Sequence, residues 1–217
     1  MAEERTAVLE SVVDHGADTR SLFFTIRGGL AFRPGQFLSC LLPIGGERLI
    51  RPYSIASSPE EPERVELLLN LLPDGPGSRY LFGLDPGATL HFTGPWGTFV
   101  LDHAPEAPTV LVAIETGIAP IRPMARRALA TATHPVTLLY ATAHPLYADE
   151  LAALDGLERH RVDPTRVEDE VRRRYLEEDG DRSRHFFVCG VGDVVPRLRD
   201  ALRAGGYARR AVQYEKW

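Results

Sequence analysis

Cysteine is scarce in this chain of 217 residues, which contains only Cys40 and Cys189. The two thiols are far apart in sequence, and each lies inside an apolar run. Isolated thiols of this kind form neither a disulfide framework nor a metal site. We therefore predict no metal centre and a reducing, cytoplasmic environment.

The sequence also lacks an excess of basic residues, because 25 Lys and Arg stand against 30 Asp and Glu. No basic stretch alternates with aromatic residues, so a nucleic-acid partner is not expected. Long apolar runs are missing too, and the start MAEERTAVLE has neither the basic nor the apolar region of a signal peptide. We accordingly expect no membrane span.

Short apolar runs separated by turn signals fill the first hundred residues. One short helix, around SRYLFGL, interrupts a pattern that is otherwise typical of an antiparallel barrel or sandwich. The predicted strands are TAVLESVVD, RSLFFTIRG, GQFLSCLLP, RPYSIAS, RVELLLNLL and TLHFTG.

The pattern changes after the Pro-rich stretch DHAPEAP, residues 102–108, which suits a domain boundary. Strands and helices then alternate, which predicts a parallel sheet covered by helices. The predicted strands are TVLVAI, PVTLLYA, ERHRVD, HFFVCG and AVQYE, and the helices are IAPIRPMARRALA, LYADELAAL, TRVEDEVRRRYLEE and VVPRLRDALRAGG.

The stretch LVAIETGIAP, residues 111–120, joins a buried strand to a helix through a tight turn. Such a turn points backbone N–H groups and the positive end of a helix dipole into one place, so an anion is its usual ligand. Glu115 nevertheless puts a carboxylate at this turn.

The stretch RPYSIASSP carries side chains suited to a phosphorylated aromatic ligand. Arg51 suits a phosphate, Tyr53 offers a flat face for an aromatic ring, and Ser54 offers a hydroxyl. By strand alternation Ser54 faces away from the other two, so one strand meets two parts of a ligand only if it bends or ends there. An ordinary edge strand with an exposed Arg and Tyr explains this stretch equally well when it is taken alone.

Three further pieces accompany it: PGQF (34–37), GPGS (75–78) at the start of the short helix, and GPWGTF (94–99). In order and spacing, the four pieces resemble the ferredoxin–NADP reductase family. The resemblance extends to TGIAP from Thr116, to FFVCG ending at Cys189 and Gly190, and to the final residues EKW. It covers essentially the whole chain.

The resemblance implies two domains, an antiparallel flavin-binding β-barrel over residues 1–104 and a five-stranded parallel nucleotide-binding α/β domain over residues 105–217. It implies an FAD-dependent oxidoreductase that takes hydride from NADH or NADPH at flavin N5. Electrons would then pass to a separate carrier protein or a small acceptor. With two cysteines the chain has no iron–sulfur cluster, so a ferredoxin, flavodoxin or oxygenase partner would be another chain.

Family positions map onto this sequence residue by residue. On the flavin side, Arg51 would bind the pyrophosphate, Tyr53 and Ser54 would contact the isoalloxazine, and Trp217 would stack on its other face. The FAD-binding set is Arg51, Pro52, Tyr53, Ser54, Ile55, Gly75, Gly77, Ser78 and Trp217.

The hydride-transfer site implied by the resemblance contains Ser54, Cys189 and Glu215 around the two reacting atoms. Trp217 would act as a gate, because it must move before nicotinamide can stack on the flavin. A buried core thiol is the plain alternative for Cys189. The nicotinamide-cofactor set is Glu115, Thr116, Gly117, Cys189 and Gly190.

The nucleotide side departs from the family pattern, whereas the flavin side is intact. Glu115 stands where the family has Gly, and its carboxylate would swing to Arg122 or fill the anion site and cap the helix. After the second strand, LLYATAHPLY contains no Arg for a 2′-phosphate and no clear acidic residue for a ribose, although His144 could touch the adenosine.

Two alternatives therefore stay open. In one, the nicotinamide site is closed or degenerate, and the protein is an FAD-binding subunit or a tailoring enzyme. In the other, it is an NAD(P)H free-flavin reductase, against which GPGS and Arg51 argue because they suit a diphosphate-bearing FAD.

Overall fold

A computed structural model describes residues 3–217 of the chain. Backbone contacts divide it into two compact units, one ending at Val100 and the other spanning Leu101–Trp217. The domain limit expected from the sequence, residue 104, lies a few residues later.

The first unit is an antiparallel sheet with one short helix, as the sequence predicts. The elements are β1 (Arg5–Asp14), β2 (Thr19–Thr25), β3 (Phe37–Ile44), β4 (Glu47–Ser54), β5 (Arg64–Asn70), α1 (Pro76–Phe82) and β6 (Thr89–Trp96). The strand order is β4-β3-β6-β1-β2-β5, and an isolated bridge between Ile55, just after β4, and Leu67 of β5 links the two edges of the sheet. The sheet is thus barrel-like without continuous closure.

Alternating side chains of these strands form the core of the first unit. Phe24, Leu38 and Phe92 are buried inside the curved sheet, and Leu81 packs against them from α1. This packing holds α1 against β3.

The second unit is a five-stranded parallel sheet with helices, also as predicted. The elements are β7 (Thr109–Ile114), α2 (Ile118–Thr131), β8 (Val136–Ala141), α3 (Ala148–Ala152), β9 (Leu157–Val162), α4 (Val167–Arg172), β10 (His185–Gly190), α5 (Val194–Ala204) and β11 (Val212–Lys216). Three of the strands, β7, β8 and β10, are almost entirely apolar, as expected of parallel strands that are covered on both faces.

In the sheet order β11-β10-β7-β8-β9, all strands are parallel, but the side on which successive strands are added changes between β7 and β10. The chain first builds outward from β7 to β9 and then returns to place β10 on the other side of β7. In open α/β sheets, ligands bind outside the carboxyl ends of the strands at such a switch point. The fold therefore puts the residues after Ile114 and around Gly190 at the place where a ligand is expected.

Two helices are shorter than the sequence pattern indicates. The predicted helix LYADELAAL is reduced to α3, which follows Tyr147 in a left-handed conformation with φ 56°. Beyond α4 the predicted helix continues as a π-helical turn over Arg173–Glu177. Within residues 3–217, no helix is long and apolar enough to cross a membrane.

Candidate functional site

Three of the flavin-side motifs meet at Phe37, the first residue of β3. Phe37 pairs with Ser54 of β4 on one side and with Trp96 of β6 on the other. Gly97 packs on the Phe37 ring, since a Cβ at this position would lie 3.2 Å from its carbon atoms. PGQF, RPYS and GPWGTF are therefore brought to one end of the sheet.

Gly77 brings the fourth motif to the same strand. A Cβ on Gly77 would lie 3.0 Å from Arg51 Cγ and 3.3 Å from Tyr53 Oη and from Leu42 Cδ1. The backbone of the first turn of α1 thus lies directly against the two side chains that the sequence assigns to phosphate and ring. A side chain at position 77 would fill the space between α1 and these two side chains.

The Ser78 side chain is used inside the turn. Its Oγ accepts the N–H of Leu72 at 3.0 Å and donates to Gly75 O at 3.0 Å. The hydroxyl therefore fixes the GPGS loop, and the backbone N–H groups of the first helical turn remain to meet an anion.

Arg51 and Tyr53 supply complementary chemistry beside that turn. Arg51 is exposed, and its Nη1 donates to Ile50 O at 2.8 Å, which leaves further guanidinium N–H groups for a ligand. Burial raises the pKa of Tyr53 to about 12, so its phenol stays neutral and can donate a hydrogen bond. A cation and the first-turn backbone of α1 beside a half-buried aromatic ring fit the phosphates and ring of FAD.

The other RPYSI residues take different positions. Pro52 is exposed on β4, and Ser54 is the buried last residue of the strand. Ile55 is fully buried in the core, and its N–H is bonded to Gln36 O at 3.0 Å. β4 therefore ends at Ser54. The end of the strand at this point is the condition under which Tyr53 and Ser54 can both meet one ligand.

At the carboxyl edge of the parallel sheet, two glycines allow the backbones to touch. A Cβ on Gly117 would lie 2.8 Å from Gly190 Cα and closer still to the carbonyl oxygen of Cys189. A Cβ on Gly190 would lie 2.6 Å from Ile114 Cβ. The TGIAP turn after β7 therefore rests on the end of β10 and leads directly into α2.

Glu115 has a left-handed backbone, with φ 50°, although it carries a side chain. This conformation is uncommon for residues other than glycine. Its carboxylate Oε2 accepts a hydrogen bond from Thr142 Oγ1 at 3.0 Å. Arg122, which the sequence offered as a counter-ion, pairs with Glu150 at 2.7 Å.

The Glu115 carboxylate thus lies on the β8 side of its own strand. Thr142 follows β8 directly, is buried, and also accepts the N–H of His144 at 3.1 Å. Burial raises the pKa of Tyr140, near the end of β8, to about 12, and the charge of Glu115 acts in the same direction.

Cys189, Glu215 and Trp217 lie together on the β10 side. Cys189 pairs with Glu215 in register, and Trp217 donates from Nε1 to Cys189 Sγ at 3.3 Å and from its backbone N–H to Gly190 O at 3.1 Å. Burial, followed by the charge of Glu215, raises the pKa of the Cys189 thiol above its usual range. The thiol is therefore neutral, and the terminal indole lies beside it.

Thr142 and Arg161 are two residues of this edge that the sequence did not single out. Arg161, near the end of β9, donates to the carbonyl oxygens of Thr142 and Ala143. The available signal was position, because both residues stand at the carboxyl ends of predicted parallel strands. Among the residues that the structure describes, no group of His, Cys, Asp or Glu side chains is arranged for a metal ion.

Each unit thus gathers its own set of predicted residues. Arg51, Tyr53 and Gly77 come together in the first, and Glu115, Gly117 and Cys189 line one edge of the second. Tyr53 and Trp217 belong to different units, so the flavin sandwich expected from them stays a prediction.

Similar sequences were found for both parts of the chain. The family described as oxidoreductase FAD-binding domain matches residues 6–101. Ferredoxin–NADP reductase B of Sorangium cellulosum is 34% identical across 100% of this chain and 98% of its own length. The ferredoxin reductase component of 3-ketosteroid-9-alpha-monooxygenase from Mycolicibacterium smegmatis is 30% identical, and the match spans 90% of this chain and 60% of that relative.

Solved structures confirm the fold. A ferredoxin reductase in carbazole 1,9a-dioxygenase has a TM-score of 0.88 at 21% identity, over 100% of this chain and 69% of that one. A ferredoxin NADP+ reductase from Neisseria gonorrhoeae, solved with bound FAD and NADP, has a TM-score of 0.84 at 20% identity, over 100% and 99% of the two chains. These likenesses concern the fold alone.

We expect Gly117→Ala to damage the carboxyl edge of the sheet, because the new methyl group overlaps backbone atoms of β10 that cannot move aside easily. The expected loss in the free energy of unfolding is about 1–3 kcal/mol, measured by urea denaturation. Gly180→Ala is the matched control, since a Cβ there meets no atom within 4 Å. Equal stability of the two variants would contradict the close packing at Gly117.

Proposed function

The chain belongs to the ferredoxin–NADP reductase family and is an FAD-dependent NAD(P)H oxidoreductase; we propose that it moves hydride from a nicotinamide to flavin N5. One observation carries the proposal: Gly117, Cys189 and Glu215 coincide with the switch point of the parallel sheet. Ligands of open α/β sheets bind there.

FAD, when bound, supplies a hydride acceptor at N5 and releases electrons one or two at a time. The first unit contributes binding and orientation. Arg51 and the first-turn N–H groups of α1 would hold the phosphates, and the neutral Tyr53 phenol would contact the ring system. Ser54, the buried last residue of β4, would contact the isoalloxazine near N5.

The second unit contributes the position of the nicotinamide. Thr116 and Gly117 offer backbone N–H groups to the pyrophosphate, and Cys189 provides a small neutral surface beside the nicotinamide ring. Glu215, which stands next to Cys189 in register, accepts a hydrogen bond or relays a proton. Trp217 rests on Cys189 and must leave before the ring can enter.

In this proposal, residues 1–104 form the FAD-binding domain and residues 105–217 the NAD(P)H-binding domain. The electrons pass to a ferredoxin, flavodoxin or oxygenase component on a separate chain. The names of both sequence relatives, a ferredoxin–NADP reductase and a ferredoxin reductase component of a monooxygenase, support a partner of this kind.

A closed nicotinamide site is the second candidate, and the observation that favours it is the presence at the turn of a carboxylate residue, Glu115, with a left-handed backbone. The protein would then be an FAD-binding subunit or a tailoring enzyme. A free-flavin reductase is disfavoured by the pairing of Arg51 with the GPGS turn, which suits a diphosphate.

Anaerobic stopped-flow absorbance tests the proposed function. We expect NADH or NADPH to bleach the bound flavin of the wild-type protein, because the switch point is complete. If neither donor bleaches the wild type while Glu115→Gly is bleached, the site is closed and the reductase proposal is wrong. Flavin that is lost during dialysis would identify a free-flavin reductase.

We expect Arg51→Ala to weaken FAD retention about tenfold or more, because a charge-assisted phosphate contact is removed. The measurement is the dissociation constant of FAD, followed by recovery of flavin fluorescence. Arg48→Ala is the control on the same strand, since Arg48 pairs with Glu4 at 2.7 Å. Equal retention in both variants would rule out the phosphate role of Arg51.

We expect Trp217→Ala to lower the apparent KM for the nicotinamide donor, because the indole no longer covers Cys189. Trp217→Phe keeps an aromatic ring but removes the N–H donated to Cys189 Sγ, so an intermediate KM is expected. Steady-state kinetics at fixed acceptor concentration gives the values. A KM that is unchanged in both variants would argue against the gate.

A further inference from the structure

The two sides of β7 have different chemistry at the carboxyl edge. On the β10 side lie Cys189 and Trp217, where the proposed function puts the nicotinamide. A dinucleotide that crosses the edge at Gly117 then has its adenosine half on the β8 side. The Glu115 carboxylate lies on that second side, hydrogen-bonded to Thr142.

The end of the second strand is where related α/β folds place an acidic residue that accepts hydrogen bonds from an adenosine ribose. The sequence shows no such residue after β8, because Thr142, Ala143 and His144 follow it. Glu115 reaches the same place from the neighbouring strand. Its carboxylate lies 3.0 Å from the hydroxyl of the first residue beyond β8.

We propose that Glu115 is the specificity-determining residue for the nucleotide donor: it accepts the hydroxyls of the adenosine ribose and disfavours a 2′-phosphate, so that NADH is the preferred donor. The inference rests on the proposed function and deepens it. A carboxylate accepts from a ribose hydroxyl but repels a phosphate dianion at the same position.

The backbone conformation of Glu115 is a second observation that indicates a role for its side chain. Glycine adopts a φ of 50° without the steric cost that a side chain brings, yet a glutamate has this backbone angle here. A strained residue at a ligand edge is a reason to look for a role of its side chain. The Thr142 hydroxyl lies 3.0 Å from the carboxylate and 3.1 Å from His144 O, and its single hydrogen restrains the carboxylate when it is donated to Glu115.

Arg161 is a cation at the same edge that would favour the opposite preference, for NADPH, because a guanidinium attracts a 2′-phosphate. Its Nε and Nη2 donate to the carbonyl oxygens of Thr142 and Ala143. These bonds direct Arg161 toward the loop that carries Thr142. In our inference Arg161 fixes that loop, and the Glu115 carboxylate determines the preference for NADH.

The test measures binding apart from turnover. Isothermal titration calorimetry of the oxidised holoprotein with NAD+ and NADP+, and with 5′-AMP and adenosine 2′,5′-bisphosphate, gives the two preference ratios. We expect the wild type to favour NAD+ over NADP+ and 5′-AMP over the bisphosphate. Glu115→Gln should reduce each ratio about tenfold, and Glu177→Gln, an exposed carboxylate elsewhere in the same unit, should change neither.

Thr142→Val tests the positioning of the carboxylate. Without the hydroxyl, the carboxylate is less restrained, so we expect a smaller loss of preference in the same direction. Arg161→Ala tests the alternative that Arg161 binds a 2′-phosphate. If it does, the variant should lose affinity only for the 2′-phosphorylated ligands. That result, together with wild-type preference for NADP+, would overturn the inference.

The outcomes also separate this inference from the proposed function. Bleaching of the flavin by both donors with NADPH preferred would keep the reductase and reject the role of Glu115. If the wild type binds neither nucleotide and Glu115→Gly binds both equally well, the carboxylate closes the site, and both proposals are rejected. An unchanged ratio in Glu115→Gln rejects the inference whatever the flavin does.

Discussion

The contact between the Gly117 backbone and the end of β10 is the constraint on which the second unit depends. With no Cβ at Gly117 or Gly190, the turn after β7 lies directly on the carbonyl of Cys189. The start of α2 is thereby fixed at the switch point of the sheet. A side chain in this turn then has little room on the β10 side, and Glu115 extends toward β8.

A missing Cβ has a similar role in the first unit. Gly77 lets the first turn of α1 approach Arg51 and Tyr53 within van der Waals distance. The two glycine contacts differ in the charge beside them. At Gly77 the neighbouring charge is the Arg51 guanidinium, which favours phosphate, whereas at the turn that contains Gly117 the Glu115 carboxylate is hydrogen-bonded away toward Thr142.

This difference between the units bears on function more than on fold. The flavin-side motifs are complete, and the parallel sheet retains the switch point that a nucleotide needs. The departure at Glu115 is confined to one side of β7. In our inference, a carboxylate on this side alters which nucleotide binds, because the turn and the β10 side keep their geometry.

The sequence by itself determined the strands, most of the helices, the antiparallel and parallel sheets and the glycine motifs, because these follow from local periodicity and turn chemistry. It did not determine the partners of side chains from different elements. Glu115 was expected at Arg122 or at the helix terminus, and Thr142 and Arg161 were not expected to have a role. Tertiary structure decided these contacts, since the pairing of β7 with β8 and of β8 with β9 brings together strand ends that are far apart in sequence. Strand order and register are set by packing of the whole sheet, which no single stretch of sequence encodes.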